Sequence, residues 1–187
     1  MNTESILIQT RSGRFRIRTI SKEDSPAIRD IILETLTEHG AVGGGFASGD
    51  SDTQEMYEAF QKSGRKYFVI EEYPEGSTPV QGRVLGGAGY SWLPGEMETC
   101  ELVKMYFRKE IRGLGIGKKL LQFCMAEARK AGYNQMYLET IGQMKAARGL
   151  YEHLGFNQID HSMGETGHYS CDVYYLRKLE EEVISDE

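Results

Sequence analysis

The sequence is short of several things, and each shortage removes a class of function. No apolar run approaches the length needed to cross a bilayer, so no membrane span is expected. Lys and Arg form no cluster, and the formal net charge is −6, so a nucleic-acid surface is not expected either. The three cysteines, Cys100, Cys124 and Cys171, lie far apart without metal-ligand spacing. So few and scattered, they read as free thiols in a reducing compartment. The four histidines, His39, His153, His161 and His168, show no ligand spacing. His168 and Cys171 could border a pocket, although a strand-edge position suits them better. Met1-Asn2-Thr3-Glu4-Ser5 has no basic segment leading into an apolar core, so it is not read as a signal peptide, and a cytoplasmic protein is expected. No internal repeat or inter-domain linker is visible.

What is present suits one domain spanning 1–187, with about 1–14 as an N-terminal extension and 180–187 as an acidic tail. Hydrophobic residues make up 40% of the chain, enough for a sizeable core. Ile6–Ile8 and Phe15–Ile20 read as strands, the second alternating apolar and basic residues. Ser21 or Asp24 can cap a helix carrying Ile28, Ile31, Ile32 and Leu36, which Gly40 ends. The glycine-rich stretch 41–50 reads as a connector or a substrate loop. Thr53–Lys62 is expected to be a second helix, Lys66–Glu72 and Val84–Trp92 strands, and Pro74–Pro79 a surface turn. Gly86, Gly87 and Gly89 inside a strand indicate a bulge or a close approach. Leu102–Phe107 is a strand, Leu120–Ala131 a helix, Gln135–Glu139 a strand and Met144–Leu154 a helix closed by Gly155. Phe156–Asp160 and Tyr169–Leu176 read as closing strands. The order implies an α/β fold with helices on both faces of a mixed sheet.

The chain is organised around Arg112-Gly113-Leu114-Gly115-Ile116-Gly117-Lys118-Lys119, where a strand turns into a helix. A helix N-terminus has unpaired N–H groups and a positive dipole end, and glycine lets backbone approach a ligand closely. The stretch therefore reads as an anion cradle, most naturally for a pyrophosphate. A glycine-rich helix entry without a ligand is the plainer alternative. Lys119 stands where a nucleotide P-loop needs Ser or Thr, and Lys118 or Leu120 where a dinucleotide fingerprint needs its third glycine.

A third pattern, Arg/Gln-x-x-Gly-x-Gly/Ala, is filled by Arg112, Gly115 and Gly117, and resembles the acyl-CoA motif of the GNAT superfamily of N-acetyltransferases. Ala147-Arg148-Gly149-Leu150-Tyr151-Glu152-His153-Leu154-Gly155-Phe156 resembles that family's second signature, and Glu101–Phe107 its fourth strand. The resemblance implies the GNAT fold, a mixed, mostly antiparallel central sheet flanked by helices, in which acyl-CoA enters where two strands splay apart. It implies acetyl-CoA as co-substrate and a small-molecule or peptide amine as acceptor, and it leaves a homodimer open.

By the same resemblance, the pantetheine arm runs along Met105, Tyr106 and Phe107, and the pyrophosphate rests on Arg112, Gly113, Leu114, Gly115, Ile116, Gly117 and Lys118. Met144 stands where many members carry a pantetheine-contacting Asn. Glu101 matches the glutamate that deprotonates the amine, with Glu139 and Glu98 as rivals, and Tyr151 matches the tyrosine that protonates the leaving thiolate. A solvated Glu101 and a core-packed Tyr151 are the plain alternatives. A CoA-binding sensor that no longer turns over, or a nucleotide-binding domain, are the rival functions.

Overall fold

The computed structural model describes residues 5–73 and 82–179. The Pro74–Pro79 turn and the acidic tail lie outside them. Strands β1 (Ile6–Thr10) and β2 (Gly13–Thr19) form a hairpin, so part of the stretch read as an extension supplies an edge strand. In β2, Phe15 and Ile17 are buried and the alternating Arg14, Arg16 and Arg18 are half-buried. Arg16 and Arg18 pair with Glu71 on the neighbouring strand, and Arg18 also with Asp24 at 2.6 Å. Asp24 accepts from the Ser21 backbone N–H at 2.7 Å, closing a capping box ahead of helix α1 (Ser25–Glu38). Gly40, at φ +68°, ends α1, and the Ala41 N–H folds back 2.9 Å onto the Leu36 carbonyl.

The second helix is shorter than expected. A 3₁₀ turn covers Ser51–Thr53, and α2 is only Met56–Ala59. Thr53 is fully buried and its hydroxyl donates to the Ala47 carbonyl at 2.6 Å, and Glu55, at φ −129° and ψ 58°, leaves the helical region, so the helix begins only at Met56.

Strands β3 (Lys66–Glu72), β4 (Val84–Leu93) and β5 (Glu96–Phe107) form an antiparallel meander, with Pro94-Gly95 turning β4 into β5. Then come α3 (Ile116–Lys130), β6 (Gln135–Thr140), α4 (Lys145–His153), β7 (Asn157–Ile159) and β8 (Val173–Lys178). The last strand starts at Val173 rather than Tyr169, because the Cys171 N–H turns back to the His168 carbonyl at 2.9 Å. Among the described residues the sheet has eight strands, in the order β1-β2-β3-β4-β5-β6-β8-β7. Alternate residues of β3 enter different cores. Phe68 and Ile70 pack with α3 and α4, and Tyr67 and Val69 pack with α1 and α2. Helices therefore cover both faces, as the sequence order implied.

Two features of β5 build the site. Its parallel pairing to β6 stops after Thr99↔Gln135, Cys100↔Met136 and Glu101↔Tyr137, and beyond that the strands part. Opposite β4, Lys104 and Met105 face the single residue Ala88, between the pairs Val103↔Gly89 and Tyr106↔Gly87. This is a β-bulge, with Lys104 at φ +52°. It sits beside a close strand approach, since a Cβ on Gly87 would lie 2.6 Å from the Tyr67 ring.

Candidate active site

The cradle follows β5 through a 3₁₀ turn at Lys109–Ile111 and ends on the first turn of α3. Gly115 caps that helix at φ +77°, and Gly113 has φ +75°. A Cβ on either would meet nothing within 4 Å, so the space beside this helix end is open to a ligand. The N–H groups of Ile116, Gly117 and Lys118 belong to the turn that has no intrahelical acceptor. Gly117 is closer to its neighbours, its Cβ position lying 3.4 Å from Phe107 and 3.5 Å from Leu150. Arg112 points back to α1. Its guanidinium donates to Glu38 at 2.8 Å, to the Thr35 hydroxyl at 3.2 Å and to the Phe107 carbonyl at 2.8 Å. Lys118 is exposed, with Nζ 3.1 Å from His153 Nε2.

Where β5 and β6 separate, a cavity opens. Glu101 and Lys104–Tyr106 line it from β5, Leu138–Ile141 from β6 and beyond, Met144, Ala147 and Tyr151 from α4 and the residue before it. Phe46 and Ala47 of the glycine-rich loop, and His168 and Cys171 of the β7–β8 connection, complete it. The structure thus brings together Glu101, Tyr151, Met105, Tyr106 and Met144. Glu98 is exposed and Glu139 is inside. Among the described residues, the β5 edge facing β6 has no strand partner past Glu101, which leaves main-chain groups for an extended ligand.

Tyr151 is buried, with its ring 6.0 Å from those of Phe156 and Tyr175. Burial, with the Tyr175 phenol nearby, pushes its own phenol well above the ordinary tyrosine value. It therefore stays protonated at neutral pH. Burial does the same to Tyr106.

Also in the cavity lining, several carboxylates converge on one imidazole. His168 Nδ1 lies 3.4 Å from Glu101 Oε1 and 3.9 Å from Glu139 Oε2, and His168 Nε2 lies 3.3 Å from Asp50 Oδ2. Asp50 also holds Lys104 Nζ at 2.5 Å. The bonds to Asp50 and Glu101 raise His168 to about 10, against the desolvation that opposes charge. Asp50 is drawn down to about 2 by His168 and Lys104, overcoming its own burial. Burial raises Glu139, as does the charge of Glu101, while hydroxyls of Tyr137 (2.7 Å) and Thr166 (3.0 Å) both donate to its Oε1. No spacing in the sequence joins Asp50 to His168, and His168 lies in a loop lining the cavity, not at a strand edge.

The family model described as "Acetyltransferase (GNAT) family" matches residues 27–156. An uncharacterized N-acetyltransferase, YjgM, of Escherichia coli is 40% identical over 165 residues, 87% of this chain and 94% of the relative. The L-methionine sulfoximine/L-methionine sulfone acetyltransferase of Pseudomonas paraeruginosa is 29% identical over 154 residues, 81% of this chain and 84% of the relative. Among solved structures, yncA of Salmonella typhimurium, solved with its cofactor acetyl-CoA, superposes with a TM-score of 0.66 at 28% identity, covering 91% of this chain and 96% of that one. An acetyltransferase of Staphylococcus aureus gives 0.74 at 21% identity, covering 89% and 99%, a likeness of fold.

Proposed function

Because the chain belongs to the GNAT family of acetyltransferases, we propose that it transfers the acetyl group of acetyl-CoA to a primary amine by direct attack. The observation that carries this reading is that Glu101 and Tyr151, from different elements, line one cavity at the fork between β5 and β6. The open helix end at Gly113–Lys118 suits the cofactor's pyrophosphate, and the unpaired edge at Met105–Phe107 its pantetheine arm. Acetyl-CoA supplies an acetyl group activated as a thioester. Backbone N–H groups around the bulge polarise the carbonyl, as an oxyanion hole does. Met144 packs where the family often places an amide.

Glu101 takes the ammonium proton, directly or through water, and frees the amine for attack. Glu139 is the rival for that role, with two hydroxyls on its Oε1 and its carboxyl raised by burial. Tyr151 stays protonated and offers its O–H to the sulfur as charge develops there. An ordinary thiol ionises near about 8.5, below a phenol raised this far, so Tyr151 stabilises the developing thiolate chiefly by donating a hydrogen bond, and the released thiolate takes its proton from solvent.

Cys171 is the one cysteine lining the cavity, and burial with the surrounding carboxylates pushes its thiol up to about 12. A thiol held protonated is a poor nucleophile, which favours direct attack over an acetyl-cysteine route. Intact-mass measurement after mixing with acetyl-CoA alone tests this. The expected result is an unmodified chain, and a stable acetyl adduct on Cys171 would overturn direct attack. The acceptor panel should include L-methionine sulfone, because one relative is named for it.

A further inference from the structure

Lys104 and Glu101 both belong to β5, and between them runs a closed chain of contacts through two loops. Lys104 Nζ reaches Asp50 in the glycine-rich loop at 2.5 Å. Asp50 reaches His168 in the β7–β8 loop at 3.3 Å, and His168 returns to Glu101 at 3.4 Å. The loops also touch directly. Ser170 Oγ donates to the Gly44 carbonyl at 3.1 Å, and a Cβ on Gly44 would lie 2.6 Å from the Tyr169 hydroxyl.

We infer that His168 is a positioning residue for the transfer. It latches the β7–β8 loop to the glycine-rich loop through Asp50, and it holds the Glu101 carboxylate at the fork. The inference rests on the reading of Glu101 as base. A histidine suits this place because its two ring nitrogens point apart, and when both are protonated each donates to a different carboxylate. A lysine would present one point charge. The groups facing the ring are Asp50 from the glycine-rich loop, Glu101 from β5 and Glu139 from β6. Lys104 is the nearby cation, and Asp50 lies between it and the ring. Three carboxylates repel one another at such separations unless a cation stands among them. Without His168, Glu101 would face Glu139 unshielded, and the ionic link between the two loops would be lost, leaving the contacts of Tyr169 and Ser170 with Gly44 and Gly45.

The test needs no acceptor. Histidine labelled with ¹⁵N reports ring protonation by NMR, and His168→Gln identifies the signal by removing it. In the wild-type protein the His168 ring is expected to be doubly protonated at pH 8. In Asp50→Asn, a change of equal size, its titration midpoint should fall by about one unit or more, a tenfold change in acidity. Hydrogen–deuterium exchange over 41–50 should rise severalfold in both His168→Gln and Asp50→Asn, and the double variant should exchange no faster than the faster single one. A neutral His168 ring at pH 8 would overturn the latch. So would unaltered exchange over 41–50 in His168→Gln, or additive effects in the double variant. None of these readouts involves turnover, so a failure of Glu101 as base, seen as normal turnover in Glu101→Gln, is distinguishable from a failure of the latch.

Discussion

Glu101 stands opposite Tyr137 in the last residue pair that joins β5 to β6. One residue further, the ladder ends and the cavity begins. The same strand then supplies the Lys104–Met105 bulge and the open edge at Tyr106 and Phe107, and leads to the helix end proposed to hold the pyrophosphate. The proposed base and the proposed cofactor contacts thus share one rigid strand, which fixes their spacing.

Tyr151→Phe removes only a hydroxyl. The ring contacts to Phe156 and Tyr175 remain, so folding and acetyl-CoA binding should be retained. Turnover should fall, by roughly tenfold to a thousandfold, if the phenol donates to the leaving sulfur. Steady-state rates with an unchanged acetyl-CoA-induced melting shift check this. Normal turnover would make Tyr151 a core aromatic and leave the catalysis to positioning.

Glu101→Gln should remove the acidic limb of the kcat/KM profile, because that limb reports a base losing its function on protonation. The acceptor must be an amine of low pKa, so that its own ionisation does not supply the limb. Persistence of the limb in the variant would transfer the role to Glu139 or to water.

In the cradle, Gly115→Ala places a Cβ at φ +77°. The left-handed conformation costs a non-glycine residue roughly 1–2 kcal/mol, a few degrees in melting temperature for a chain of this size. Acetyl-CoA should then raise that temperature less than it does for wild type, since ligand stabilisation tracks affinity. Gly117→Val adds bulk towards Phe107 and Leu150 and should weaken the same shift. A folded variant with undiminished affinity would show that the cradle lies elsewhere.

Stability should also carry the signature of the latch. His168 is raised to about 10, so its contribution is complete below the unfolded value, about 6.5, and is lost as pH rises through 10. Asp50 is lowered to about 2, so its contribution is present above the unfolded carboxylate value and is lost as pH falls through about 2. Between pH 7 and 10 the wild-type melting temperature should therefore fall more steeply than that of His168→Gln. Parallel curves over that range would count against the ion pairs.

Most strands and the glycine turn into the helix were legible because they are local. Lys66–Glu72 is recovered residue for residue, and the strand, glycine turn and helix around Gly115 follow in the expected order, although the strand begins at Glu96 rather than Leu102 and the helix at Ile116 rather than Leu120. Helices on both faces followed from element order. The second helix is shorter than its apolar spacing suggests because the backbone leaves the helical region at Glu55, which the spacing does not reveal. The insertion of β8 between β6 and β7 is a matter of pairing partners, and chain order is silent on it. The Asp50–His168 contact was invisible for a similar reason. Its partners come from two irregular loops separated by nearly the whole catalytic half of the fold.

The most direct test of the central claim is CoA-thiol release by the wild-type protein with acetyl-CoA and a panel of primary amines, each product identified by mass spectrometry. The account predicts that at least one amine yields its N-acetyl derivative and CoA in equal amounts, with the rate cut sharply in both Glu101→Gln and Tyr151→Phe. Binding of acetyl-CoA without acetyl transfer to any amine in the panel would contradict it, and would favour a protein that holds the cofactor without turning it over.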